Sequence, residues 1–158
     1  MLKASVKKRD EIKLMREGGK ILAEIVRKMA EETKPDISTM YLEEVATKYL
    51  KSMGVVSPFK GYDGYKFNSC LSVNNVVVHG EPSTKVILKE GDLLKIDLGV
   101  NFHGMITDHA ITVIVGNKTT PLFLPFILFL YFVVLGCNII YILLISLYLF
   151  SLLYIPKL

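Results

Sequence analysis

Asp97, Asp108 and His79 are the residues of this chain whose types and spacing point most directly to chemistry. Leu93–Gly99 alternates apolar and polar residues as a strand does, Asn101–Gly104 carries turn residues, and Met105–Val115 is rich in β-branched residues. A hairpin with its loop at Asn101–Gly104 sets Val100 opposite Met105 and Asp97 opposite Asp108. Directly opposed side chains of such a pair have Cβ atoms roughly 4.5–5.5 Å apart. Two carboxylates at that distance repel, and burial would drive one of them toward its neutral form. A divalent cation with a taste for hard oxygen ligands would relieve the repulsion. The bland alternative is an acid pair at a solvated rim, or a register in which the two never meet. The pattern alone leaves both open.

The histidines differ in context. His79 closes the apolar run Val76-Val77-Val78, which reads as a short strand, and it is followed by Gly80. A histidine at the end of a buried strand is equally at home in a site or in a satisfied core position. His103 falls in the turn and reads as solvated. His109 follows Asp108, so on a regular strand it faces the other way, in a structural role.

These residues need elements to position them. Residues 9–32 have the spacing of an amphipathic helix, with Ile12, Met15, Leu22, Ile25 and Met29 on one side. Gly18-Gly19 weakens it unless another backbone packs closely there. Lys34-Pro35 ends it. Ser38 or Thr39 caps a second helix running to about Met53, with Leu42, Val45, Ala46, Tyr49 and Leu50 as its apolar stripe. Glu43 and Glu44 lie near its positive N-terminal end, and Gly54 stops it. Residues 69–73 and 76–79 are strand candidates around the turn-prone Asn74-Asn75. The expectation is two helices followed by a mostly antiparallel meander.

Composition divides the chain near residue 120. Of its 19 Lys and Arg and 15 Asp and Glu, all but Lys157 fall in residues 1–118, and Leu122–Ile155 carries no charge over 34 residues. The expected organisation is a domain over 1–118 and an apolar tail over 119–158. The formal charge of +4 is nearly balanced. The cluster Lys3, Lys7, Lys8 and Arg9 reads as a solvated arm, so no nucleic-acid partner is expected. Cys70 and Cys137 lie in unlike segments, which disfavours a disulfide and fits a reducing compartment. No secretory signal is expected, because the N-terminus lacks an apolar core. Over 122–155 the tail exceeds the ~20 residues needed to span hydrocarbon, so a membrane anchor is one reading, second to that of a frame-shifted or non-coding stretch. Pro125, Gly136 and Asn138 interrupt it. Its Leu, Phe, Ile, Tyr, Asn and Lys are also what AT-rich non-coding or frame-shifted DNA would encode. A helix buried in place of a lost half is the third reading.

Residues 9–116 resemble the N-terminal half of the type I (bacterial-type) methionine aminopeptidases. The stretches that carry the likeness are Glu11–Gly19, Lys34–Thr39, Gly61–Tyr65, Cys70–Asn74, Val78–Pro82, Gly91–Gly99 and Gly104–Asp108, in that order. Each block is weak, but the series is specific and covers about two-thirds of the chain. Proline-directed aminopeptidases share the aspartate strands but usually lack the Cys-x-Ser-x-Asn and His-Gly-x-Pro blocks.

The resemblance implies an α/β fold of the pita-bread (creatinase/aminopeptidase-like) type, here as an incomplete first half followed by an apolar helical tail. It implies two divalent metal ions (Co, Mn, Fe or Zn), with Asp97 and Asp108 among the ligands. It aligns His79 with a substrate-contacting catalytic residue, and Tyr62, Tyr65 and Cys70 with the pocket for the methionine side chain. The implied reaction is removal of the initiator methionine from nascent peptides by a cytoplasmic monomer, with the ribosome as a partner. The sequence also departs from the family pattern. Asp36 stands where glycine is usual and Phe59 where cysteine is frequent. After Gly116 there is neither His nor Glu, although the family draws a further His and two Glu from its second half. The expected consequence is an incomplete metal site and little or no peptidase activity. The competing expectation is a membrane-tethered, non-catalytic half that binds peptides or a partner.

Overall fold

The computed structural model describes residues 6–116. By its contacts the chain divides into units Met1–Lys118 and Thr119–Leu158, and the elements below belong to the first. The expectations for the tail, whether anchor, buried helix or frame-shifted stretch, lie outside the described residues. Among the described residues no helix is long and apolar enough to cross a membrane.

Helix α1 runs over Arg9–Glu31. It begins where the Glu11 carboxylate accepts the Lys8 N–H at 2.6 Å, satisfying a donor left free by the first turn. It passes unbroken through Gly18-Gly19. A Cβ at Gly18 would lie 3.0 Å from the Phe102 Cβ, so glycine is what lets the helix settle onto the sheet. Leu22, Ile25, Val26 and Met29 complete its buried face. Helix α2 spans Thr39–Ser52, and of its two candidate caps Ser38 serves: its Oγ accepts the Tyr41 N–H at 3.2 Å. Gly54 follows at φ 67°. Asp36, also at positive φ (67°), shows why glycine would suit its position.

Strands β1 (Ser69–Val73), β2 (Leu93–Phe102) and β3 (Met105–Ile114) form an antiparallel sheet in the order β1-β2-β3. The alternation of β2 decides its orientation. Leu94, Ile96, Leu98 and Val100 are fully buried against the helices, and Lys95, Asp97 and Gly99 lie on the opposite face. Burial of this order contributes roughly 1.5–3 kcal/mol per large side chain.

The structure corrects two expectations. The hairpin turns on His103-Gly104, at φ 50° and 84°, with Phe102 opposite Met105. Positive φ at both central residues is the two-residue geometry that matches strand twist. The register is therefore shifted by two from the one expected: Asp97 pairs with Ala110, and Asp108 with Gly99. A shift of two preserves the face, so the carboxylates are diagonal neighbours rather than opposed. Residues 76–79, in turn, do not form a strand. Asn74 closes no hairpin with them. Its amide side chain ties back to β2 instead, accepting the Leu93 N–H and donating to Asp92, each at 2.9 Å. Val77 and Val78 are left 74% and 61% exposed.

Glu43 belongs to the core rather than to the N-terminal charge of α2. It is 6% exposed, and its carboxylate accepts from the Asn68 N–H and Nδ2 (2.7 and 3.0 Å) and from the Ser69 N–H and Oγ (3.0 and 2.7 Å). These bonds pin the start of β1 to α2. Glu43→Ala should cost about 3 kcal/mol, because it strands buried N–H donors. Glu44→Ala, one residue on and exposed, should stay within about 0.5 kcal/mol. Urea denaturation of the full chain checks both, and equal effects would contradict the assignment.

Candidate metal and substrate site

The sheet face turned away from the helices carries the chemistry. The register places Cys70 directly across from Asp97. Asp108 lies diagonal to Asp97 on β3, on the same face. Gly99 sits between these positions. A Cβ there would meet Pro58 Cγ at 2.8 Å and Phe59 Cε1 at 2.9 Å, so the absence of a side chain lets the 58–59 segment lie over the strand beside Asp97.

Asp97 is half-buried and Asp108 exposed. Burial raises the Asp97 pKa above its ordinary value, and the neighbouring Asp108 carboxylate raises it further. His79 acts in the opposite sense on Asp97 by its charge. The expectation that one carboxylate of the pair would be pushed up thus holds, although the two meet diagonally.

Tyr65 and Cys70 flank this face. The Tyr65 hydroxyl donates to the Ser69 carbonyl at 2.9 Å and lies close enough to the Cys70 thiol for the two to influence each other's ionisation. Burial raises the pKa of both groups, keeping phenol and thiol neutral. The Phe67 ring stands edge-on to Tyr65 at 5.9 Å. The result is an uncharged, polarisable wall of the kind an unbranched thioether packs against. Tyr62 is not gathered into it. It lies in the 3₁₀ turn Tyr62–Gly64 and is 77% exposed. His79 is exposed at φ 58°. His103 is exposed in the turn, as expected. His109 pairs with Leu98 on the helix-facing side, so it faces away from Asp108 as predicted, but it too is exposed.

Sequence reasoning missed Glu43 and Ser72. Glu43 falls at helical spacing from Thr39, Ala46 and Leu50, a signal that an acidic residue sits on a buried stripe. Ser72 is the serine of the Cys-x-Ser-x-Asn block, but nothing in the sequence pointed to its backbone partner.

Comparison with known proteins decides the family. Residues 13–137 match the model of metallopeptidase family M24. This chain belongs to that family. It is 41% identical over 107 residues to methionine aminopeptidase 1 of Bacillus subtilis, covering 68% of this chain and 43% of the relative. The methionine aminopeptidase of Clostridium perfringens is likewise 41% identical, over 112 residues. The crystal structure of the Thermotoga maritima methionine aminopeptidase superposes with a TM-score of 0.71 at 36% identity, over 74% of this chain and 47% of that one. Aminopeptidase P of Escherichia coli shares the fold, with a TM-score of 0.61 at 23% identity. The M24 chain thus spans less than half the length of these methionine aminopeptidases, and it shares their α/β fold over the part it covers.

Asp97 and Asp108 suit a divalent cation as two of its ligands: both are hard oxygen donors, and their mutual repulsion is what a cation would relieve. No group of three or more His, Cys, Asp or Glu able to hold a metal occurs among the described residues. The donor set present fits part of a metal shell.

Because the folded state raises the Asp97 pKa, ionised Asp97 opposes folding. The penalty is absent below the unfolded value near 3.8 and grows as pH rises through the folded one. Asp97→Asn should therefore raise the thermal midpoint of the metal-free chain at pH 7, and the gain should vanish toward pH 3.5. A midpoint lowered at pH 7 would contradict the repulsion.

Proposed function

We propose that residues 9–116 form the metal- and substrate-facing half of a methionine aminopeptidase centre, a hydrolase site for the initiator methionine of nascent peptides. One observation carries the proposal. In an M24 chain 41% identical to a methionine aminopeptidase, the sheet face that brings Asp97 and Asp108 together also bears Cys70, with Tyr65 against its thiol.

In this reading Asp97 and Asp108 hold divalent metal (Co, Mn, Fe or Zn), which when bound would polarise a carbonyl and supply a nucleophilic water at neutral pH. Tyr65 and Cys70 receive the thioether side chain, and their neutrality keeps that wall free of charge. His79 hydrogen-bonds the substrate amide and the oxygen that gains charge. Tyr62 joins the pocket only by moving inward from its exposed turn. Among the described residues no further carboxylate or imidazole is placed with these groups as a general base, and no His or Glu follows Gly116. We therefore propose that the 158-residue polypeptide alone does not turn over. Its setting would be that of the family: a cytoplasmic monomer meeting peptides at the ribosome. The uncharged stretch 122–155 is what favours the second reading, a membrane-tethered peptide-binding half.

The test is methionine release from a Met-Ala-Ser peptide by the full chain with added Mn or Co. No release above the metal blank is expected, and rates near those of an intact relative would overturn the inactivity. Manganese should still bind, stabilising the chain by about 1.4 kcal/mol at ten times its Kd. That gain should be lost in Asp97→Ala. Equal stabilisation of the wild type and Asp97→Ala would remove Asp97 from the metal site.

A further inference from the structure

The role given to His79 needs a fixed imidazole, yet little packs around it. The segment before it, Val76–Val78, is exposed, and His79 itself sits at φ 58°, a left-handed conformation that disfavours non-glycine residues. Such a conformation persists only where the surroundings over-determine it. The constraint here comes from the next residue. Gly80 donates its N–H to Ser72 Oγ at 2.9 Å and accepts the Leu71 N–H at 2.7 Å, so both of its backbone groups are held by β1. The approach is too close for any side chain. A Cβ on Gly80 would lie 2.8 Å from the Ser72 Cα, and nearer still to the Leu71 carbonyl. Beyond Gly80, Ser83 is tied to α2, its N–H donating to Thr39 Oγ1 at 2.9 Å and its carbonyl accepting from the same hydroxyl at 3.2 Å.

Ser72 is 2% exposed. Two residues on from Cys70, it lies on the same sheet face as Cys70 and Asp97. Of the two bonds that hold Gly80, only the one to Ser72 depends on a side chain. We propose that Ser72 is a positioning residue for His79: its hydroxyl fixes Gly80, and through it the angle at which the imidazole stands toward Asp97 and the Tyr65–Cys70 wall. The proposal rests on the role given to His79 above. It extends that role to a residue that touches neither substrate nor metal.

The experiment compares the full chain with Ser72→Ala and Ser72→Thr by nuclear magnetic resonance, following the Gly80 amide, the His79 ring and the Gly99 amide as a control. In Ser72→Ala the Gly80 amide should exchange about tenfold faster, the effect of losing one hydrogen bond of ordinary strength. The His79 ring resonances should move while the Gly99 amide stays. Ser72→Thr, which keeps the hydroxyl, should return both signals toward wild type. A general structural role would instead move Gly99 as well. An unchanged Gly80 amide or His79 ring in Ser72→Ala overturns the proposal. If that variant does not fold, a wild-type Gly80 amide that exchanges as fast as exposed Gly64 overturns it, and a protected one supports it. Adding a Met-Ala-Ser peptide separates the two claims. A peptide that shifts neither His79 nor Cys70 in the wild type refutes the substrate reading, while the Gly80 result still decides the clamp.

Discussion

Everything in this unit depends on β2 having one fully buried face. Leu94, Ile96, Leu98 and Val100 are closed off by α1 within a core to which α2 also contributes, and a slip of one residue would turn all four to the other side. That cost is far larger than the repulsion it imposes on Asp97, so the carboxylate is held where it would not settle on its own account. The site face exists because the core face cannot move. Gly18 serves the same end from the helix side, letting α1 approach Phe102 at the end of β2.

Elements whose sequence period matched their environment were legible. Both helices, β1, β2 and β3 follow from apolar spacing, caps and β-branched runs, and the parity that puts Asp97 and Asp108 on one face followed from alternation alone. The exact register did not. It is set by His103-Gly104, and histidine at positive φ is not a residue that announces a two-residue turn. The valines before His79 misled for a related reason. They have the composition of a strand but lack a partner, because Asn74 spends its hydrogen bonds on β2 and Asp92.

The candidate site was legible where one side chain does the work and opaque where the work is shared. Asp97 and Asp108 could be placed on one face from their numbers, whereas Cys70 came only with the family likeness and its place opposite Asp97 came from the structure. Glu43 and Ser72 act on backbone N–H groups of other segments, and although the spacing of Glu43 marks it as buried, nothing local names a partner 25 positions on. Tyr62 shows the converse. Likeness to a family selects it, but the conformation described here leaves it outside.

The Gly80 crossing has another consequence. An outer strand offers unpaired N–H and C=O groups to any extended chain, and proteins commonly blunt such an edge with charge, proline or a covering loop. Here the Leu71 N–H of β1 is already taken by the chain's own Gly80, and buried Pro82 follows within two residues. The segment that carries a histidine toward the site therefore also seals that side of the sheet against strand addition. Loosening it would expose a template for aggregation as well as displacing an imidazole.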